Sequence, residues 1–194
     1  PATTLAMAGA GVPPKMQGEV FLGPGRDAPR QFVYGGRDRG DETVDRVRTV
    51  RSRRYRYVRN YNPGRPFFQT NRYKLANYPT IWVMHDLHRR GELTPTQRVY
   101  MRPERPEEEL YDVKADPYET VNLADSSSHR SVLHQMRRRL GRWTQRIDDQ
   151  GRFPEDPEVQ RYYERRMKQL YSKEIEALCK KWEMDGRVMD VCRN

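Results

Sequence analysis

The residues best suited to chemistry in this sequence are three adjacent charged residues, Arg37, Asp38 and Arg39. They follow the apolar run Phe32–Tyr34 and the pair Gly35-Gly36, a pattern that predicts a strand ending at the glycines and a charged loop after it. A guanidinium presents a planar fork to an oxyanion, and a carboxylate accepts hydrogen bonds from hydroxyl groups. Because loops at strand ends often face ligands, the three residues are candidates for binding an anionic ligand.

The same charges also have a structural interpretation. Mixed charges at a protein surface are usually solvated or paired with one another. On this interpretation, Arg37, Asp38, Arg39 and Asp41 form ion pairs that tie the loop to its own domain. The sequence leaves both roles open.

The elements around this segment predict an α+β fold. Residues Val132–Ile147 carry apolar side chains at three- and four-residue spacing, which indicates an amphipathic helix that covers one face of a small antiparallel sheet. A second long helix is predicted from about Glu158 to Met184. The predicted strands are approximately Phe32–Tyr34, Arg48–Val50, Tyr55–Arg59 and Glu109–Val113.

Shorter elements are predicted between these. A short helix over Pro1–Gly9 begins the chain. Another ends at Gly91, and a third begins with Thr94 as its N-cap and runs to about Met101. The segment Phe67–Tyr78 shows no clear period and is interpreted as an irregular connection on the surface.

Composition limits the possible partners. The 194 residues carry a net charge of +10, and hydrophobic residues make up only 35% of the chain. This balance favours anionic partners, which include nucleic acid, acidic membrane surfaces and sulfated or phosphorylated substrates. No apolar run has the length of a membrane span. Cys179 and Cys192 could pair, but their spacing fits no zinc pattern.

A nucleic-acid surface is the competing interpretation. Arginines alternate with tyrosines between Arg51 and Tyr61, and arginines with interleaved aromatic residues can bind phosphates and stack on bases. The same pattern suits a hairpin whose tyrosines pack inward and whose arginines point outward. The alternative function is therefore a stand-alone basic module that binds nucleic acid or another polyanion.

Three segments follow one another along the chain: TTLAMAGAGVPPKMQGEVFLG, FVYGGRDRGDETVDRVRTVRSRRYRYVRNY and EELYDVKADPYETVNLA. Taken in order, they resemble the C-terminal portion of a type I sulfatase, in the alkaline-phosphatase-like superfamily. The resemblance is strongest to the heparan N-sulfatase (sulfamidase)-like branch and extends from Pro1 to about Pro154. It implies that residues 1–30 end an α/β catalytic domain, that residues 31–150 form the sulfatase C-terminal subdomain and that residues 151–194 are a helical appendage.

The resemblance implies an enzyme that hydrolyses sulfate esters or sulfamates with a formylglycine nucleophile and a bound calcium ion. Formylglycine is made from the first residue of a C/S-x-P-x-R motif, which neither Cys179 nor Cys192 fits. We therefore expect the nucleophile and the calcium ligands to lie outside this chain, and we expect no catalytic or metal-binding residue within it. The chain alone is expected to be inactive. The expected partner within the protein is a preceding catalytic domain, and the expected location is the periplasm or the extracellular space.

Substrate recognition is what the resemblance implies for this chain. It places Arg37, Asp38 and Arg39 towards the substrate pocket, where they would bind a sulfated saccharide. The loop departs from the family pattern because it contains no histidine, so the resemblance does not fix which saccharide is bound.

Overall fold

Six α-helices and four β-strands make up the computed structural model, within the part of the chain that it describes, residues 1–187 and Cys192. Short 3-10 turns precede α5 and α6. The elements are α1 Ala2–Met7, β1 Val33–Gly40, β2 Thr43–Arg51, β3 Tyr55–Asn60, α2 Arg72–Asn77, α3 Pro79–Arg89, α4 Pro95–Tyr100, β4 Glu108–Asp112, α5 Arg130–Arg146 and α6 Pro157–Met184.

The chain divides into two units, Pro1–Val33 and Tyr34–Asn194. In the first unit, the Thr3 hydroxyl accepts a hydrogen bond from the Phe21 amide at 3.2 Å. The Asp27 carboxylate accepts one from the Val20 amide at 2.7 Å. These two side chains satisfy backbone groups in a segment that has little regular structure besides α1.

The second unit is built on one sheet with the strand order β1-β2-β3-β4. β2 pairs with β3, and β3 pairs with β4, in antiparallel register. Val50, Tyr57 and Leu110 are partners across these three strands, and all three side chains are fully or almost fully buried. The prediction of an α+β fold with a four-stranded antiparallel sheet is confirmed.

Helix α5 packs against β2 and β3 and covers one face of the sheet. Its buried side chains are Leu133, Met136 and Leu140, which recur at the three- and four-residue spacing that the sequence showed. At one end of this face, the rings of Tyr34 and Trp143 stack at 5.1 Å between centroids. The predicted packing of this helix on the sheet is therefore observed.

A second apolar cluster joins three helices away from the sheet. Leu75 of α2, Ile81 and Trp82 of α3, and Ile175 of α6 are buried together. The indole N–H of Trp82 donates to the Leu75 carbonyl oxygen at 2.7 Å. Cys179 at the end of α6 forms a disulfide with Cys192. This cluster holds the long helix α6 against α2.

The interpretation of Phe67–Tyr78 as an irregular surface connection is wrong over its second half. Residues Arg72–Asn77 form α2, and the Asn71 side chain caps it by accepting the Lys74 amide at 2.8 Å. Burial of Leu75 against α3 and α6 stabilises a helix that would be too short to persist alone.

The prediction that Gly35-Gly36 ends the first strand is also wrong, since β1 continues to Gly40 and the turn to β2 lies at Asp41-Glu42. The glycines serve side-chain packing instead. A Cβ on Gly36 would lie 3.1 Å from Arg48 Cδ, and one on Gly35 would lie 3.2 Å from Thr49 Cγ2. The missing side chains make room for those of β2, so Arg37, Asp38 and Arg39 lie in a strand rather than a loop.

A pair of leucine substitutions tests the packing of α5. Leu140→Ala should lower the free energy of unfolding by about 2–5 kcal/mol, because it removes a side chain buried between α5 and the sheet. Leu170→Ala is the matched control on α6, and it should change stability by only about 0.5 kcal/mol because Leu170 is substantially exposed. Urea unfolding followed by circular dichroism measures both, and equal losses would contradict the observed packing.

Candidate functional site

A cavity of about 710 Å³ lies on the face of the sheet opposite α5. Alternation along the strands sends Val47, Thr49 and Val58 to this face, where they form the floor together with Asn60. The walls come from residues 96–106, which include α4, and from the turn at residues 118–122. A cavity of this volume is in the range that accommodates small ligands.

A buried carboxylate organises the charges at one end of the cavity. Asp45 of β2 is 2% exposed and accepts hydrogen bonds from the guanidinium groups of Arg37 and Arg105. Gln69 donates a third hydrogen bond to Asp45 at 2.9 Å. Arg37 and Arg105 both line the cavity. Two guanidinium groups share one carboxylate, so this group of side chains carries one net positive charge.

The electrostatics of Asp45 follow from this arrangement. Burial opposes ionisation, but the hydrogen bonds from Arg105, Arg37 and Gln69 outweigh it and hold the pKa of Asp45 well below its ordinary value. Asp45 is therefore ionised at neutral pH and fixes the orientation of both arginines. Arg37 remains 44% exposed, so part of its guanidinium is free to meet a ligand.

Two further arginines, Arg56 and Arg102, line the cavity and were not among the candidate substrate-binding residues predicted from the sequence. Arg56 of β3 pairs with Glu119 at 2.5 Å, which leaves it partly neutralised. Arg102 also lines the cavity, is exposed and forms no ion pair with any residue in the described part of the chain. Arg102 lies between α4 and β4, and no motif in the sequence around it marks it as a candidate. Its position beside the cavity becomes evident only from the fold.

Asp38 lies on the other face of the sheet from Arg37. Its carboxylate is 2.7 Å from Nη2 of the buried Arg48, whose guanidinium also donates to Asp149 at 2.6 and 3.1 Å. Arg46 adds a hydrogen bond to Asp149 at 2.9 Å. Although burial opposes ionisation, the hydrogen bonds from Arg48 and Arg46 lower the pKa of Asp149. Asp38 thus takes part in an ion-pair network that joins β1 and β2 to the segment after α5.

Arg39 is largely buried in a third location. Its guanidinium pairs with Glu155 and lies 4.1 Å from the centre of the Tyr163 ring of α6. The structure therefore brings Arg37 to the cavity and places Asp38 and Arg39 elsewhere. These contacts agree with the ion-pair interpretation for Asp38 and Arg39, while a substrate contact by any of the three remains a prediction.

Within residues 1–187 and Cys192, no three His, Cys, Asp or Glu side chains are grouped so that they could hold a metal ion. No helix in the same residues has the length and apolar character needed to cross a membrane.

The role of Asp45 predicts how stability depends on pH. Because folding lowers its pKa, Asp45 stabilises the fold fully above its unfolded-state pKa of about 3.9, and this contribution is lost as the pH falls towards the folded-state value. Asp45→Asn should destabilise the chain at pH 7 by about 3–5 kcal/mol, since it leaves the buried Arg105 without its carboxylate.

Urea unfolding at pH 7 and pH 3 tests this. Between pH 7 and pH 3, the free energy of unfolding should fall less in Asp45→Asn than in the parent. A smaller fall should remain in the variant, because Asp149 is still present and also has a lowered pKa. Glu158→Gln removes an exposed carboxylate and should behave like the parent. A parent and an Asp45→Asn variant with the same pH dependence would contradict the assigned ionisation.

Comparison with known proteins shows which proteins this chain is similar to. No protein-family model matches it. It is 35% identical over 153 residues to an ulvan-active sulfatase of Formosa agariphila, and 27% identical over 147 residues to a second ulvan-active sulfatase of that organism. The matches include 79% and 73% of this chain, but the chain spans only about a quarter of the length of these curated relatives, 26% and 27%.

Solved structures resemble the chain more weakly. One is a 2-O GAG sulfatase, with a TM-score of 0.49 and 20% identity over 81% of this chain. Another is a protein in complex with its substrate D-glucosamine-2-N,6-O-disulfate, with a TM-score of 0.47 and 18% identity over 76% of this chain. The relationship rests on the two curated sequence matches, by which the chain is homologous to a portion of known sulfatases.

Proposed function

We propose that this chain is the C-terminal part of a sulfatase that hydrolyses sulfate esters or sulfamates on saccharides. The observation that carries the proposal is the 35% identity to an ulvan-active sulfatase over 79% of the chain. This match favours a sulfatase over a stand-alone module that binds nucleic acid. On this proposal the chain supplies substrate recognition and structural support, whereas a preceding catalytic domain supplies the nucleophile.

The cavity over the sheet supports a recognition role. Its size suits a saccharide unit, and the exposed part of Arg37 supplies a cationic group at one end. A guanidinium binds oxyanions through paired hydrogen bonds, and Asp45, which the buried Arg105 also contacts, holds Arg37 in place before a ligand arrives. Arg102 adds a cationic side chain without a carboxylate partner in the described residues.

The proposed nucleophile and metal belong outside this chain. In the preceding domain, formylglycine would supply the nucleophile and calcium would offset the charge of the sulfate group. The residues described here do not fit either group, because Cys179 and Cys192 are joined in a disulfide and no metal-binding cluster occurs among the described residues. We therefore assign this chain no step of bond cleavage.

A location in the periplasm or outside the cell forms part of the proposal. The disulfide between Cys179 and Cys192 supports it, because structural disulfides persist in oxidising compartments. Alkylation of the unfolded, non-reduced protein should leave both cysteines unmodified, and prior reduction should expose two thiols to the reagent. Two alkylated cysteines without reduction, in protein isolated from its native host, would contradict this location.

Substitution of Arg37 tests the recognition role in the protein that carries this chain. Arg37→Ala should lower kcat/KM for a sulfated saccharide by roughly tenfold or more, because it removes a charge-assisted hydrogen bond to the substrate. The fold should survive, since Asp45 keeps its hydrogen bonds from Arg105 and Gln69. Arg53→Ala, in the exposed turn between β2 and β3, is the matched control and should leave kcat/KM unchanged.

The same assay separates the two roles considered for Arg39. Its contacts with Glu155 and Tyr163 lead us to expect that Arg39→Ala lowers the Tm and leaves kcat/KM unchanged. A lower kcat/KM at an unchanged Tm would instead show that Arg39 contacts the substrate.

Two further outcomes would contradict the proposals. If Arg37→Ala has the kinetics of the parent, the cavity is not the recognition site. If the parent releases no sulfate from any saccharide, the sulfatase proposal fails.

A further inference from the structure

Helix α5 carries a concentration of positive charge, most of which is paired with neither the sheet nor the cavity residues. It contains six arginines and no aspartate or glutamate. The whole chain has a net charge of +10, so this single helix holds more than half of the excess. Arg137 is tied into the fold by two hydrogen bonds to Glu108, at 2.6 and 2.7 Å. Four of the other five arginines are exposed and have no carboxylate partner among the described residues.

These four form what we call the arginine row, which runs along the outer side of α5. Its members are spaced by multiples of four residues, and the exposed His134 occupies the remaining position of the same row. All four arginines are exposed, and none forms an ion pair with a carboxylate in the part of the chain that the structure describes. The arginine row is Arg130, Arg138, Arg142 and Arg146.

The direction of the row follows from helix geometry. Steps of four residues advance about 6 Å along the axis and turn about 40°, so over its length of about 24 Å the row winds through about 160° and stays within the outward half of α5. Its middle residue, Arg138, lies opposite the stripe formed by Leu133, Met136 and Leu140, which packs on the sheet. The row therefore points away from the protein, whereas the apolar stripe is buried against the sheet.

Like charges four residues apart destabilise a helix when they have no counter-charge. The arginine row retains this repulsion, and an anionic partner of comparable length would relieve it. The row is longer than one saccharide unit and matches an extended chain with repeated negative charges. Each guanidinium can bind a sulfate group through paired hydrogen bonds.

We infer that the arginine row binds an extended sulfated polysaccharide at a surface separate from the cavity, on the opposite face of the sheet. This inference deepens the proposed function and rests on it for the class of ligand. Single-stranded nucleic acid fits the row less well, because no exposed aromatic side chain lies between the arginines to stack on bases. Duplex DNA binds through its phosphates without such stacking, so the test below compares it directly with heparin. An anionic membrane fits less well too, because the apolar side of α5 is already packed against the sheet.

The test compares two triple variants of the protein that carries this chain. Arg138→Gln/Arg142→Gln/Arg146→Gln removes three charges from the row. Arg165→Gln/Arg166→Gln/Lys168→Gln removes the same charge from exposed positions of α6 and is the matched control. The probes are size-fractionated heparin chains, a sulfated disaccharide and duplex DNA, each measured over a range of salt concentrations.

The row variant should bind long heparin roughly tenfold more weakly than the parent, with a smaller salt dependence, whereas the control should bind it nearly as the parent does. The affinity of the row variant for the disaccharide should equal that of the parent, because the three substitutions leave the cavity intact. Its Tm should equal or exceed that of the parent, since repulsion within α5 is removed. Equal losses in both variants, or row-dependent binding that is tighter for DNA than for heparin, would overturn the inference.

Sulfate release from the disaccharide, measured in parallel, separates this inference from the proposed function. If sulfate is released and the row variant binds long heparin as the parent does, the inference about α5 fails alone. If no sulfate is released but the row variant still shows selective loss of heparin binding, the proposed function fails and the polysaccharide surface remains.

Discussion

The charges of the second unit are arranged around one buried carboxylate, that of Asp45 near the start of β2. An ionised carboxylate in a protein interior requires positive partners, and Arg37 and Arg105 provide them from different parts of the chain. Arg37 lies eight residues before Asp45 and Arg105 lies 60 residues after it. The interaction therefore joins the first strand to the segment before the last strand and orients both guanidinium groups beside the cavity.

The alternation of side chains along β1 gives adjacent charged residues different environments. Arg37 points to the cavity side with Asp45, and Asp38 points to the α5 side with Arg48. On the α5 side, Arg48 and Asp149 form a buried network that connects the sheet to the segment after α5. The cavity side of the sheet thus keeps an accessible cationic group, whereas Asp38, Arg48 and Asp149 on the other side are paired with one another.

The elements with a clear period could be predicted from the sequence. The apolar spacing of Leu133, Met136 and Leu140 indicated α5 and its buried side. Thr94 indicated the start of α4, where the structure adds a capping box with Gln97. The two errors have physical causes. Glycines commonly end strands, but Gly35 and Gly36 remain paired because their missing side chains admit those of β2. α2 lacks a period of its own and depends on packing against other helices.

The candidate site was less predictable than the fold. The sequence marked Arg37 as a candidate, and Arg37 lines the cavity, but the sequence could not show that Asp38 and Arg39 lie apart from Arg37. That separation depends on the extent of β1 and on its pairing with β2, which the glycine pair obscured. Asp45, Arg102 and Arg105 gave no local signal, because their roles arise from contacts between distant segments.

A crystal structure of the protein that carries this chain, bound to a sulfated saccharide, tests the central claim most directly. The account predicts electron density for the saccharide against the cavity, with a sulfate or carboxylate oxygen within hydrogen-bond distance of the Arg37 guanidinium and with Asp45 still bound to both arginines. A saccharide bound without any contact to Arg37, or a cavity filled by other segments of the protein, would contradict the account.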